Sequence, residues 1–423
     1  MSKYILREVC KNVTDGEHGT VPCEVGSPYY LLSAKNLLNG KIILTDNERT
    51  ISKQSFDKIR KRTSLEKDDV LISTVGTIGN LAIADEVSHY EFNRDVGIFK
   101  CNKEKLIPEY LYYYLSTDVQ QKRMMKIAKG VTQKHLYISD LEEIDIDIPN
   151  VQEQSKAIYQ LKKIDEKIGL NKKVISILES MAKTLYDYWF VQFDFPDANG
   201  HPYKTSGGKM EWNETLSREI PAGWEVGRLA DYCSLQRGVT YGKGDSTNIP
   251  QDGYVPILRA NNIQNHELNF DSLVYLPKKL INEKQYLKNG EILIAMSSGS
   301  MEHIGKVARV FYDLNYGFGA FCSKITPLKD TGKQYVYYYV ISDEFQLYIH
   351  NMCLGTNIRN LTNDHILNSK LCKIPEKILS QFESKMAPIH KKQALLKQEN
   401  INLSYIRDFL LPMLMNGQVT FRQ

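Results

Sequence analysis

Several features that identify common protein classes are missing from this sequence. It has no apolar run near the roughly 18–20 residues that a membrane span requires. The opening residues, Met1-Ser2-Lys3-Tyr4-Ile5-Leu6-Arg7-Glu8, hold no apolar stretch of the kind that directs secretion. Seven cysteines (Cys10, Cys23, Cys101, Cys233, Cys322, Cys353 and Cys372) lie far apart and make no C-x-x-C pair. That excludes a zinc ribbon and argues against a disulfide framework, so a cytoplasmic location is expected. Nine histidines are scattered, with no H-E-x-x-H and no Cys/His cluster, so no metal site is expected. Charge of one sign is also absent: 54 basic residues against 50 acidic give +4, which permits a nucleic-acid partner without demanding one. What is present is ordinary globular composition, 42% hydrophobic and 25% charged over 423 residues, which excludes disorder. At about 150 residues per domain the length suggests roughly three units.

Catalytic constellations are missing as well. Gly238-Val239-Thr240-Tyr241-Gly242-Lys243-Gly244 imitates a phosphate-binding loop. It is one residue short between the glycines, and Gly244 stands where a magnesium-binding Ser or Thr belongs. Gly317-Phe318-Gly319 lacks the third glycine of a dinucleotide fingerprint, and Ser297-Ser298-Gly299-Ser300 is not a nucleophile elbow. Asp165-Glu166-Lys167 resembles a nuclease fragment but falls on a helical stretch and reads as a solvated face. No Asn-Pro-Pro-Tyr motif is present to grip a flipped adenine. A chain of this kind is expected to be a reader or a scaffold, with no catalytic residue of its own.

The positive signal is a repeat. Tyr110-Leu111-Tyr112-Tyr113-Tyr114-Leu115 recurs 225 residues later as Tyr335-Val336-Tyr337-Tyr338-Tyr339-Val340. Gly130 with Leu136 recurs as Gly355 with Leu361, and Ile148-Pro149 as Ile374-Pro375. Leu32-Ser33-Ala34-Lys35-Asn36 returns as Leu258-Arg259-Ala260-Asn261-Asn262, Leu71-Ile72 as Leu293-Ile294, and Ile78-Gly79 as Ile304-Gly305. Ordered matches with a drifting offset indicate a duplicated module with loop insertions. Within each copy, Val70-Leu71-Ile72-Ser73 and Ile292-Leu293-Ile294-Ala295 read as strands, and 106–125 as one helix begun by Pro108.

Each copy ends in a long helix. Leu161, Ile168, Ile175, Ala182 and Trp189 fall seven apart, with Ile164, Leu178 and Leu185 between them. Phe382, Ile389, Leu396, Leu403 and Leu410 form a second ladder, in which Pro388 predicts a kink. Heptads this long predict two helices pairing as an antiparallel coiled coil, the alternative being two amphipathic helices that cover separate cores. The Gly- and Pro-rich stretch between the copies reads as a linker. The expected fold class is α+β: two tandem mixed α/β domains in a pseudo-twofold arrangement, separated by the long helices. The expected boundaries are 1–149 and 223–375 for the domains, 150–191 and 376–423 for the helices, and 192–222 for the linker.

Two loops per copy stand out as readers. Residues 119–139 contain no acid but hold Lys122, Arg123, Lys126, Lys129 and Lys134, and they run from a helix end into Gly130-Val131-Thr132-Gln133. The matching 345–363 also lacks acids and carries Gly355-Thr356-Asn357-Ile358-Arg359-Asn360. Basic residues suit phosphates; Gln133 and Asn357 suit adenine, and Arg359 suits guanine. The second loop follows the shared strand. It carries Thr74 and Thr77 in copy one and is longer in copy two, where it carries Ser298 and Ser300. Similar scaffolds with different loops predict two different short DNA sequences. The 41 residues of 151–191 make a ruler of about 61 Å, ample to set two readers one turn of DNA (about 34 Å) apart. A coiled-coil scaffold that binds only proteins is the competing reading.

At this point the residues match a known pattern. Thr14-Asp15-Gly16-Glu17-His18-Gly19-Thr20 opens the first module. Ile146-Asp147-Ile148-Pro149 precedes Gln152-Glu153-Gln154, and Trp189-Phe190-Val191-Gln192-Phe193-Asp194-Phe195 closes the first helix. Gly207-Gly208-Lys209-Met210-Glu211-Trp212-Asn213 and Ile220-Pro221-Ala222-Gly223-Trp224 lead into the second module, and Leu410-Leu411-Pro412-Met413-Leu414-Met415-Asn416-Gly417 follows near the end. In this order the chain resembles the specificity subunits of type I restriction–modification systems over essentially its full length. One departure is that 376–388 lacks the Glu153-Gln154 pattern. The resemblance implies that the two domains are target recognition domains for double-stranded DNA. It implies that the helices dock partner subunits, through Leu161, Ile168, Ile175, Leu178, Trp189, Ile389, Leu396, Leu403 and Leu410. Those partners would be two modification subunits, which methylate adenine N6 from S-adenosylmethionine, and two restriction subunits using ATP and magnesium. The chain itself would bind no cofactor.

Overall fold

The structure, a computed structural model, describes residues 2–38, 40–45, 47–130, 134–297, 303–355 and 360–419. Its compact units do not follow the five consecutive segments expected above. One unit comprises residues 1–170 with 399–423, the other 171–398, so each long helix gives one half to each unit. The reason lies in what the helix ends bury. Ala157, Ile158 and Leu161 join the first domain's core together with Leu411, Leu414 and Met415. Ala182, Tyr186, Trp189 and Phe190 join the second domain's core together with Phe382 and Met386.

The two domains share one topology. In the first, an antiparallel sheet runs in the order Cys10–Asp15, Val96–Cys101, Val70–Ser73, Leu81–Ile83. In the second the order is Cys233–Arg237, Cys322–Pro327, Ile292–Ala295, Val307–Arg309. The middle strands Val70–Ser73 and Ile292–Ala295 are fully buried, as continuous apolar runs require when both faces are covered. A smaller sheet repeats too: Tyr29–Leu32 pairs in parallel with Tyr90–Phe92, as Tyr254–Leu258 does with Gly317–Phe318.

The stretch expected as one helix over 106–125 is two, Pro108–Ser116 and Asp118–Ile127. Thr117 breaks it with an extended backbone and caps the second helix by accepting from the Gln120 amide. Ser342 occupies the same position between Lys333–Ile341 and Asp343–Gly355, its Oγ accepting from the Phe345 amide. A hydroxyl side chain that offers the backbone a local partner stops a helix in this way. The repeated tyrosines face inward. Tyr110 donates to the Met415 carbonyl and Tyr113 to the Asp165 carboxylate, while Tyr339 shares a hydrogen bond with Ser369.

Both long helices are present, Val151–Tyr186 and Glu376–Met415. The second is one helix that includes Pro388. The first closes in a π-helical turn, Asp187–Val191. Within the first unit Asp165 meets Arg407 at 3.1 Å and Lys167 meets Glu399 at 3.4 Å. Within the second Gln393 donates to Glu179 at 2.8 Å, and the Trp189 and Phe382 rings lie 5.5 Å apart. As one helix advances the other retreats, so the pairing in each unit is antiparallel. The segment read as a linker is folded. Phe195 stacks between Tyr203 and Trp224, Asp194 accepts from both the amide and the hydroxyl of Thr205, and Met210–Asn213 pairs with Arg218–Pro221. Its glycines and prolines mark tight turns inside a packed segment.

Candidate nucleic-acid interface

The loop after the shared strand is closed at its base in the same way in both copies. The amide of Gly79 donates to Ser73 O, and that of Gly305 to Ala295 O. Both glycines have positive φ, +92° and +80°, and their carbonyls accept from Gln121 and Gln346 respectively. Buried Ile78 and Ile304 anchor the base. Between these matched ends the second loop is four residues longer.

The loop that follows the basic helix end reaches the same place. In the first domain Lys129 and His135 exchange backbone hydrogen bonds, and Leu136 N donates to Thr74 O. In the second, Leu361 N donates to Met296 O and Ser297 bridges to Asn360. The two loops that sequence singled out separately therefore meet along one edge of each domain.

A third element joins them, which sequence reading missed. It is the turn 93–95 in the first domain and 319–321 in the second. Six backbone hydrogen bonds repeat there. Glu17 N donates to Phe92 O as Val239 N does to Phe318 O, and Arg94 N donates to Glu17 O as Ala320 N does to Val239 O. Val96 N donates to Asn93 O as Cys322 N does to Gly319 O, and Gly16 N donates to Val96 O as Gly238 N does to Cys322 O. Asn93 N donates to Leu32 O as Gly319 N does to Leu258 O, and Thr74 N donates to Asp95 O as Met296 N does to Phe321 O. Gly16 and Gly238 make this possible. A Cβ on either would lie 2.2–2.5 Å from the facing backbone carbonyls. The signal lay in the sequence as the pairs Gly16/Gly238 and Phe92/Phe318, at the repeat's own offsets.

The expected contact residues divide on this frame. Thr77 is exposed at the first loop's tip and Lys134 is exposed beside it. Thr74 is buried with its hydroxyl toward Arg94 O, and its counterpart Met296 is fully buried. Thr74 is thus a framework position and offers nothing to a ligand. Thr132, Gln133, Ser298, Ser300, Thr356, Asn357 and Arg359 lie outside the described residues. The acid-free stretch is less positive in three dimensions than in one. Lys129 pairs with Asp140 at 3.3 Å and lies over the Tyr137 ring, Arg123 pairs with Asp145 at 2.8 Å, and Lys122 is 3.9 Å from Asp118. Arg94, exposed on the third loop, adds a cation that the sequence reading did not select. Beside it the Asp95 side chain turns inward and accepts from the Ala34 amide; burial raises its pKa, partly offset by that bond. Among the described residues no group of three His, Cys, Asp or Glu side chains is placed to hold a metal.

The helix residues expected to dock partners are buried or half-buried. Leu161, Ile168, Trp189 and Leu396 are buried, and Ile175, Leu178, Ile389, Leu403 and Leu410 are half-buried. Heptad spacing selects the seam between two helices, which is the face this pairing consumes. The outer faces carry other apolar residues: Leu170, Val174, Ile177 and Met181 on the first helix, and Ile401, Tyr405 and Phe409 on the second.

Comparison with known proteins agrees with this architecture. The StySPI type I restriction enzyme specificity subunit of Salmonella potsdam is 32% identical over 206 residues, 48% of this chain and 44% of that protein. The MjaIX specificity subunit of Methanocaldococcus jannaschii is 26% identical over 406 residues, 92% of this chain and 86% of its own. The match thus spans under half of the first relative and most of the second. The crystal structure of a type I restriction–modification S subunit from M. genitalium superposes with a TM-score of 0.55 at 16% identity, covering 98% of this chain and 95% of that one, which shows a shared fold. The profile of the type I restriction modification DNA specificity domain matches residues 23–180 and 221–398, and with both copies of the repeat matched the chain belongs to that family.

Proposed function

We propose that the chain is the DNA-reading, non-catalytic specificity subunit of a type I restriction–modification system. Each domain reads one half of an asymmetric, two-part duplex target, and the long helices set the gap between the halves. The observation that carries this reading is the repeated three-loop frame: its backbone hydrogen bonds match in the two copies, while tip length and side chains differ. A constant frame with variable tips is what two readers of different sequences need, since side chains at base edges specify and backbone contacts only position.

The outward apolar residues of the helices supply the surface for modification subunits. Leu170, Val174, Ile177 and Met181 recur at steps of four, three and four, which aligns them on one helix face. Two modification subunits carrying S-adenosylmethionine would perform the adenine methylation, and two restriction subunits would supply ATP- and magnesium-dependent cleavage. The test is domain exchange. Replacing residues 1–149 with the first domain of a relative should alter one half of the methylated motif and leave the other half and the gap unchanged. If both halves change, or neither does while methylation persists, the domains are not independent readers and the protein-scaffold reading gains.

A further inference from the structure

The third loop carries different chemistry in the two domains. At one backbone position, defined by the matching bonds Thr74 N to Asp95 O and Met296 N to Phe321 O, the first domain has Asp95 and the second has Phe321. Asp95 turns back to accept from the Ala34 amide. Phe321 turns out and is 66% exposed, among the most exposed large apolar residues that the structure describes. Its neighbour Ala320 replaces the exposed Arg94.

The turn that presents Phe321 is held on several sides. Ala320 N donates to Val239 O, Cys322 N to Gly319 O, and Met296 N to Phe321 O. Arg237 braces it further: its Nε donates to Ala320 O at 2.7 Å and its Nη1 to Leu361 O at 3.2 Å, which ties this turn to the neighbouring loop. An exposed aromatic ring on a backbone fixed this firmly is pre-organised for contact, because little freedom is lost when it is covered. A phenyl ring has no hydrogen-bond donor or acceptor, so among base-pair features it addresses the apolar one, the thymine 5-methyl group in the major groove.

We propose that Phe321 is a specificity-determining residue of the second domain and reads a thymine methyl group in that domain's half-site. This rests on the DNA-reading role proposed above. The first domain, with Arg94 at its corresponding turn, reads without an apolar contact there.

The test crosses protein and DNA. The complete complex with its modification subunit is bound to a duplex bearing its own methylated motif, and to duplexes in which single thymines are replaced by deoxyuridine. The intact chain should lose roughly fourfold in affinity at one thymine, in one half-site, the value of one buried methyl group. Phe321→Ala should bind the thymine duplex on the order of tenfold more weakly, should be indifferent to the same replacement, and should leave the other half-site unaffected. Phe321→Leu, which keeps an apolar group, should retain part of the discrimination. Equal affinity of Phe321→Ala and the intact chain, or an unchanged response to deoxyuridine, overturns the proposal while leaving the DNA-reading role in place. Loss of complex assembly in Phe321→Ala at unchanged melting temperature assigns the ring to a protein contact and also overturns it. Absence of sequence-specific binding by the intact complex would instead remove the reading on which the proposal rests.

Discussion

Gly16 and Gly238 do the same work in two domains whose side chains otherwise differ widely. Each lets one strand end lie directly against the carbonyls of the turn that carries the third loop. Backbone atoms cannot swing aside as a flexible side chain can, so an added methyl group must move the strand. Gly16→Ala and Gly238→Ala are each expected to cost about 2–3 kcal/mol, read as a lowered melting temperature. Gly253→Ala is the control: its φ is +76° but nothing lies within 4 Å of the added carbon, so the cost should be only about 1 kcal/mol. Losses at Gly16 and Gly238 no larger than at Gly253 would mean that close approach does not explain these two glycines, neither of which has a positive φ. The glycine pair was legible as a repeat, but its purpose was not, because the carbonyls that exclude a side chain come from residues far along the chain. Thr74 shows the opposite limit: its residue type suits base contact, and only the fold shows that it is buried.

At the scale of the element, the heptads correctly announced two long helices, and the antiparallel contacts within each unit follow the predicted seam. Which apolar residues remain outside was not legible, because a heptad pattern marks the face that is used up. The stripe left over on the first helix supports a direct test of docking. Ile177→Glu with Met181→Glu is expected to abolish co-purification with the modification subunit while the stability of the isolated chain stays within about 1 kcal/mol of its original value. Assembly at the original strength would remove this face from the docking surface. The second helix also carries a polar cluster that no sequence pattern indicated. His390 is buried against Tyr338 and donates its Nδ1–H to Gln393 Oε1, while Gln393 Nε2 donates to Glu179. Burial, with the nearby Arg309 guanidinium adding to it, pushes the His390 pKa down to about 3. The folded state therefore holds His390 neutral, while the unfolded chain takes up a proton below about 6.5. The stabilising contribution is complete above that value and is lost as the pH falls toward the folded value. Between pH 7.5 and pH 5 this contributes a loss of about 2 kcal/mol, which His390→Gln should lack. Parallel pH profiles for the two proteins would contradict that assignment.

For the whole molecule, the repeat made the duplication, the mixed domains and the two helices readable before any coordinates. It did not reveal how the chain is divided. A helix with one end in each of two cores gives compact units that cut across the sequence, and no local pattern marks that cut. The apparent linker was misread for a related reason: glycines and prolines mark turns, and Phe195, Tyr203 and Trp224 pack around these ones. The candidate reading loops were found one at a time. Their convergence became visible only through backbone bonds between residues more than fifty positions apart, such as Leu136 N to Thr74 O. The central claim is that two similar frames with different tips read two different sequences at a fixed separation. Single-molecule sequencing of DNA methylated by this chain together with its modification subunit tests that claim most directly. The account predicts methylated adenines in a motif of two unlike short halves separated by a gap of constant length and no sequence preference. An undivided motif, two identical halves, or a gap that varies from site to site would contradict it.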